Sequence, residues 1–289
     1  MKPAPFDYVA PTTVEESVAA LADGSGDAKV LAGGQSLVPI LALRLSRFDR
    51  LVDLGRVASL RGVSRRNGTL TVGAMTRQAD VEHDPAVAEA APLLARAVPF
   101  IGHFQIRNRG TVGGSIAHAD PAAELPAVAL ALDADLEVAG PDGTRTVAAR
   151  DFFVSMFMTA LDDAEVLTAV HLPVWGPGSG FALREAARRH GDFALAGVAC
   201  GVRVTDGRVD KAAIGLFGMG STPLRGHAAE DAMVGVAPAD LDLDELGRLV
   251  VADTGPPDDV HASASYRKAT AARLAAAALR TAIEEATRG

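Results

Sequence analysis

Helical and extended patterns of apolar residues alternate along the first third of the chain. A helix is predicted after Thr13, because Thr13 and Glu16 have the spacing of a capping box and apolar residues recur every three or four positions up to Leu21. Segments 29–32 and 50–54 are short and apolar, which is typical of strands. This order of elements predicts a small α/β subdomain.

A second unit is predicted from about Gly55 onward. Residues 69–74 alternate like a strand, Thr76 is a candidate helix cap, and the alanine-rich segment 84–98 has helical periodicity. A further strand is predicted at 135–139, and the turn that follows it favours a hairpin.

The last third of the chain predicts strands followed by helices. A linker rich in glycine and proline spans 175–180. The strands are predicted at 181–187, 193–204 and 209–217, and the helices at 243–251 and 266–286. Three strands and then helices indicate an α+β domain.

Composition excludes several classes of protein. The formal net charge of −8 argues against a nucleic-acid partner, and the basic stretch 184–190 is interpreted as a solvated face. Cys200 is the one cysteine of the 289 residues, so the chain has neither an intrachain disulfide nor an iron–sulfur cluster of its own. The seven histidines lack metal-site spacing, so no metal site is predicted. Apolar runs are too short to cross a bilayer, and cytoplasmic residence is expected.

Two glycine-centred loops carry the candidate chemistry, Ala32-Gly-Gly-Gln-Ser36 and Thr111-Val-Gly-Gly-Ser115. Glycine lacks a Cβ, so the backbone of such loops can bring N–H groups within reach of phosphate oxygens. Ser36 and Thr111 add hydroxyl groups, and Ser36 is also a candidate cap for the next helix. Together the loops predict a site for a long anionic ligand.

The amino-acid sequence around these loops resembles the sequences of a known family. The matching segments are KVLAGGQSL at 29–37, IRNRGTVGGS at 106–115 and AHADPAAELP at 117–126. In order and spacing they resemble the FAD-binding medium subunit of molybdenum hydroxylases, the carbon monoxide dehydrogenase and xanthine dehydrogenase family. The resemblance implies an α+β chain: a PCMH-type FAD-binding domain at 1–176, with subdomains at about 1–55 and 56–176, and a carbon monoxide dehydrogenase flavoprotein C-terminal domain at 177–289.

The same resemblance implies a set of cofactor-binding residues and no catalytic residue. They are Lys29, Ala32, Gly33, Gly34, Gln35, Ser36, Leu37, Ile101, Gly102, Gly110, Thr111, Val112, Gly113, Gly114, Ser115, Asp120, Glu124, Leu167 and Phe193. Glu124 is expected to accept hydrogen bonds from cofactor hydroxyls and Asp120 to organise the same turn, with helix capping as the alternative for both. Lys29 either contacts the adenosine end or is a solvated lysine. Phe193 is expected beside the flavin, where several relatives have tyrosine.

The resemblance further implies that this chain relays electrons. FAD is expected to be non-covalent, because Gln35 lies where covalent flavoproteins of the wider fold have histidine. The molybdenum cofactor and two [2Fe-2S] clusters belong to a large and a small partner subunit, in an expected dimer of heterotrimers. Electrons then pass to an external acceptor such as a quinone, dioxygen or NAD.

Two other classes of function remain open from the sequence. A stand-alone FAD oxidoreductase would need an acid or base poised over the flavin, and no residue stands out in that role. A scaffold that has lost its redox role is the second alternative, and the intact glycine loops argue against it.

Overall fold

We describe residues 2–24 and 26–288 from a computed structural model of the chain. The strands are β1 (Asp7–Val9), β2 (Ala28–Leu31), β3 (Arg50–Asp53), β4 (Val63–Arg66), β5 (Thr69–Gly73), β6 (Asp135–Gly140), β7 (Gly143–Ala148), β8 (Phe153–Ser155), β9 (Met158–Thr159), β10 (Val166–Pro173), β11 (Ser179–Ala186), β12 (Ala196–Thr205), β13 (Arg208–Phe217) and β14 (Leu224–Arg225). The α-helices are α1 (Val14–Ala22), α2 (Leu37–Ala42), α3 (Gln78–His83), α4 (Pro85–Ala90), α5 (Pro92–Ala97), α6 (Phe104–Arg107), α7 (Val112–His118), α8 (Glu124–Ala131), α9 (Ala149–Phe152), α10 (His227–Met233), α11 (Leu243–Ala252) and α12 (Ala264–Arg288).

The N-terminal unit is a parallel sheet in the order β1-β3-β2, with α1 against it. The Thr13 side chain accepts from the backbone N–H of Glu16 at 3.1 Å, which confirms the predicted helix start. The Glu16 carboxylate accepts from the N–H of Thr12, so the box closes one residue earlier than predicted. Strand β2 ends directly before the first glycine loop, at the carboxyl edge of the sheet, where α/β folds commonly bind ligands.

The second unit is an antiparallel sheet in the order β4-β5-β10-β6-β7, packed against helices α5, α7 and α8. The single helix predicted over 84–98 is wrong: α4 and α5 are separated at Ala91, whose backbone is non-helical. Pro92 explains the break, because proline disfavours the helical conformation of the residue before it. Thr76 does not cap α3; its hydroxyl group exchanges hydrogen bonds with the backbone of Gly62.

The C-terminal unit is an antiparallel sheet in the order β11-β12-β13-β14, with α10 and α12 packed against it and α11 packed against these two helices. The three predicted strands are confirmed, and the short edge strand β14 extends the sheet to four. Alanines dominate the buried face of α12, so the helix lies close to the sheet. At Gly180 a Cβ atom would lie 2.0 Å from the carbonyl oxygen of Ala282.

The C-terminal sheet also packs against the second unit. Helix α8 lies on β13, where a Cβ on Gly215 would be 2.4 Å from the carbonyl oxygen of Ala127. The N–H of Gly218 donates to the carbonyl oxygen of Pro121 at 2.7 Å, just before α8. Phe181, Leu183 and Phe217 therefore share one hydrophobic core with the second unit. In the part of the chain described here, no helix is long and apolar enough to span a membrane.

Candidate FAD-binding site

The two glycine loops are in direct contact. A Cβ atom on Gly33 would lie 2.5 Å from the carbonyl oxygen of Arg109 and 2.8 Å from the Cα of Gly110. On the other side, a Cβ on Gly114 would lie 3.1 Å from the Cβ of Ala32. Glycine is therefore required for the close approach of two backbones. This contact brings residues 32–37 and 110–115 together, as the sequence predicts.

The two loops differ in what their backbone N–H groups do. Among the described residues, the N–H groups of Gly33, Gly34, Gln35 and Ser36 donate to no protein acceptor. Gly34 has φ +74°, a conformation that favours glycine, and the Gln35 side chain donates back to the carbonyl oxygen of Gly33 at 3.0 Å. The first loop therefore presents free donors of the kind that hold phosphate.

The N–H groups of the second loop are already engaged within the protein. Those of Val112, Gly113, Gly114 and Ser115 donate, at 2.8 to 3.2 Å, to the carbonyl oxygen of Thr76, the carbonyl oxygen of Ala74, the hydroxyl of Thr111 and the carbonyl oxygen of Thr111. The second loop thus supports the first and begins helix α7.

The two hydroxyl residues differ in whether they cap the helix that follows. Thr111 is 1% exposed and caps α7 through its bond from the N–H of Gly114, so its oxygen is used by the helix. Ser36 lies at the start of α2, but its side chain makes no capping hydrogen bond in the described structure, and the predicted cap is wrong. Ser36 is half-buried beside the free N–H groups of its loop.

A cavity of about 380 Å³ opens at the first loop. Its lining includes Gly33, Gly34 and Gln35 together with two arginines, Arg77 and Arg109. Arg77 donates to the carbonyl oxygen of Arg109, and no ion pair with a carboxylate is recorded for either arginine in residues 2–24 and 26–288. Burial, followed by the positive charges of Arg61 and Arg109, lowers the pKa of Arg77. These arginines suit an anionic ligand. In the sequence only Arg109 could have been found, because it directly precedes Gly110 of the second loop segment.

The expected flavin end of the site gathers residues from distant segments. Gly102 has φ +50°, and the guanidinium of Arg107 donates to the carbonyl oxygens of Ile101 and Gly102 at 3.2 and 3.3 Å. A Cβ on Gly191 would lie 3.0 Å from the same Gly102 oxygen. Phe193 follows two residues later and is 67% exposed. The structure thus brings Gly191, two residues before Phe193, against Gly102 and His103.

Glu124 is the first residue of α8 and is 6% exposed. Burial, reinforced by the negative charges of Glu185 and Asp120, raises its pKa to about 8. Asp120 accepts from the N–H of Ala122 at 2.9 Å and so organises the turn, as expected. In the described chain α8 begins without a side-chain cap, which disfavours the capping alternative for both carboxylates.

Two predicted residues lie apart from these groups. Lys29 is on the exposed side of β2, with its Nζ 5.9 Å from the centre of the Phe48 ring. Its positive charge lowers the pKa of His118 in α7, after the larger effect of burial. Leu167 is 5% exposed and pairs with Val138 in the central sheet. It lines neither the cavity at the first loop nor the larger cavity described next.

A larger cavity, of about 640 Å³, lies elsewhere, between α5, β11 and the end of α12. It is lined by none of the predicted cofactor residues. No group of three or more metal-ligating side chains occurs among the residues that we describe.

Comparison with known proteins shows which family the chain belongs to. Residues 4–175 match the family described as "FAD binding domain in molybdopterin dehydrogenase", and residues 181–282 match "CO dehydrogenase flavoprotein C-terminal domain". The chain therefore belongs to the FAD-binding medium subunits of the molybdenum hydroxylases. This confirms the resemblance found in the two loop segments, and with it the α+β fold and FAD as the cofactor.

Named relatives cover nearly the whole chain. The 6-hydroxypseudooxynicotine dehydrogenase complex subunit alpha of Paenarthrobacter nicotinovorans is 41% identical, over 92% of this chain and 90% of that protein. The carbon monoxide dehydrogenase medium chain of Hydrogenophaga pseudoflava is 36% identical, over 98% of both. A solved carbon monoxide dehydrogenase structure from the same organism superposes with a TM-score of 0.96 at 38% identity, covering 99% of both chains.

Proposed function

We propose that this chain binds FAD non-covalently at the two contacting glycine loops and passes electrons from [2Fe-2S] clusters of a partner subunit to an external acceptor. The observation that carries the proposal is the first loop itself. Three of its four free N–H groups belong to residues that line the cavity, Gly33, Gly34 and Gln35, where Arg77 and Arg109 lie opposite the single carboxylate of Asp53, and the second loop fixes its position. Bound FAD supplies the capacity to accept and donate electrons.

Each part of the proposed site has a distinct task. Gly33 to Ser36 bind the diphosphate, and the engaged loop Thr111 to Ser115 holds them in place. Glu124 accepts hydrogen bonds from cofactor hydroxyls. Ile101, Gly102 and Phe193 flank the ring system, with the exposed Phe193 ring able to cover one side. Lys29 and Leu167 are placed further out, as secondary contacts.

The proposal extends to partners and domain boundaries. The relatives carry the names of medium chains or subunits of dehydrogenases, which favours an electron-relay subunit over a stand-alone oxidoreductase or a scaffold. A large subunit with the molybdenum cofactor and a small [2Fe-2S] subunit complete the electron path, in a dimer of heterotrimers in the cytoplasm. Within the chain, we place the FAD-binding domain at 1–176, with subdomains at about 1–55 and 56–176, and the C-terminal domain at 177–289.

A pair of glycine variants tests the site. Gly33→Val would place side-chain atoms in the Arg109 backbone, so the loops must separate and FAD retention should be lost. Gly255→Val is the matched control, because a Cβ at Gly255 meets nothing within 4 Å. Flavin content is measured by absorbance after gel filtration, and circular dichroism checks the fold. Equal FAD content in both variants would contradict the proposal.

A further inference from the structure

Glu185 is a carboxylate of β11 for which the FAD-site prediction has no role. Its Oε2 atom is buried and has no hydrogen-bond partner among the described residues. Leaving a buried charged oxygen without a donor costs free energy, so such atoms commonly mark a site where a ligand supplies the donor.

A series of backbone contacts connects the segment that contains Glu185 with the segment that contains Glu124. The N–H of Gly218 donates to Pro121, in the turn before α8, and a Cβ on Gly218 would lie 3.1 Å from the carbonyl oxygen of Ala194. The next residue, Leu195, donates to the carbonyl oxygen of Ala186, beside Glu185. Gly218 and the neighbouring segment 194–195 therefore lie between the turn before Glu124 and the end of β11.

Among the described residues, no basic side chain forms an ion pair with Glu124 or Glu185. Asp120, on the turn before α8, adds another negative charge, and burial lowers the pKa of His118 on α7. Arg184 is directed to Thr281 on α12, with a contact of 3.3 Å. Arg96 of α5, the helix packed against β11, is paired with Glu285. Neither Glu124 nor Glu185 has an ion pair with a basic group recorded in the described chain.

We propose that Glu185 is a second hydroxyl-binding carboxyl of the FAD site, and that the ribityl hydroxyls of FAD bind between Glu124 and Glu185. The proposal rests on the proposed function. A sugar-alcohol chain is the appropriate ligand chemistry, because each hydroxyl group can donate to a carboxylate and accept from a carboxylic acid. Both domains would then hold the cofactor, Glu124 from the first and Glu185 from the second.

The proposal predicts a proton balance. Burial raises the pKa of Glu185 to about 7, and that of Glu124 is about 8, so near pH 7 the free pair is partly protonated. Hydroxyl donors favour the ionised carboxylate, so FAD binding lowers these pKa values and releases a proton to solvent. By linkage, FAD affinity rises with pH from about 6 to 9.

Calorimetry of FAD binding tests this on the chain stripped of flavin, alone and within its complex. Titrations in two buffers of different ionisation enthalpy at pH 7 give the protons released. We compare the wild type with Glu185→Gln, which keeps the size of the side chain, and with Glu15→Gln, an exposed carboxylate on α1, as control. ADP is titrated as well, because it carries the diphosphate but no ribityl chain.

In Glu185→Gln we expect FAD to bind about tenfold more weakly, with proton release reduced to the share that comes from Glu124 and ADP affinity unchanged. Wild-type values for FAD in this variant, or equal losses for FAD and ADP, would overturn the role of Glu185. If neither FAD nor ADP binds the wild type even in the complex, the proposed function fails, and this inference fails with it.

Discussion

Replacing Glu124 by glutamine is expected to stabilise the cofactor-free chain at alkaline pH. Glu124 is almost fully buried, and burial with two nearby carboxylates raises its pKa from 4.5 to about 8. A folded chain that binds this proton more tightly than the unfolded chain loses stability as pH rises from about 4.5 to about 8. At 1.36 kcal/mol per pH unit the loss is at most about 5 kcal/mol, and we expect about 2 kcal/mol or more of it to be regained by Glu124→Gln at pH 9.

Urea unfolding at pH 5, 7 and 9 measures this effect. The stability gained by Glu124→Gln over the wild type should be small at pH 5, grow through pH 7 and level off above pH 8. The exposed control Glu15→Gln should show no such trend. A gain that is independent of pH, or a variant less stable than the wild type at pH 9, would refute the assignment of Glu124 as a buried carboxyl without a compensating cation. FAD binding by Glu124→Gln should be weaker, because the acceptor has lost its charge.

Three further predictions concern the C-terminal domain and its contact with the first. Arg96→Ala removes two bonds of 2.6 Å to Glu285 across the domain junction, and should lower the free energy of unfolding by about 1 kcal/mol because the pair is partly exposed; chemical denaturation at low and high salt measures this. Gly197→Ala places a Cβ 2.0 Å from the Phe217 ring and should cost about 2 kcal/mol, measured in the same way. Burial raises the pKa of the Cys200 thiol to about 12, so thiol reagents should react with it only after unfolding.

Each of these predictions has an outcome that contradicts it. A salt-independent loss for Arg96→Ala would assign the effect to packing instead of charge. Gly255→Ala is the control for Gly197→Ala, since its new Cβ meets open space; equal stability of the two variants would show that the Phe217 ring moves freely. Rapid modification of Cys200 in the native chain would contradict its burial.

The glycine loops were predictable because their signal is local. Gly33, Gly34 and Gly114 stand in short motifs, where glycine permits a positive φ or a close approach of the two loops. The sequence did not predict that the N–H groups of the first loop are free while those of the second loop are bonded within the protein. It depends on the carbonyl oxygens of Ala74 and Thr76, which come from a distant segment and occupy the donors of the second loop.

The predicted elements were wrong where the effect of a single residue was stronger than the periodicity of the segment around it. Pro92 divides a segment whose alanines all favour a helix. Thr76 has the residue type of a helix cap, but its hydroxyl group bonds to Gly62 across a turn. The hydrogen-bond partner of such a residue is set by tertiary contacts, and the periodicity of the sequence carries no information about them.

Glu185 shows the same limit within the site. In the sequence it lies in a charged stretch, 184–190, of a kind that is typical of a solvated face. Its Oε2 atom is buried in the region where the C-terminal sheet meets the turn before α8, through Gly218 and Pro121. Burial created by contact between two domains leaves no periodic signal in either.

The most direct test of the central claim is the flavin content of the purified chain together with its co-purified partner subunits, from absorption spectra before and after denaturation and chromatography of the released flavin. We predict one FAD per chain, fully released on denaturation, and its loss in Gly33→Val. A complex that contains no flavin and takes up none when FAD is added would contradict it, as would a flavin that stays attached to the denatured chain.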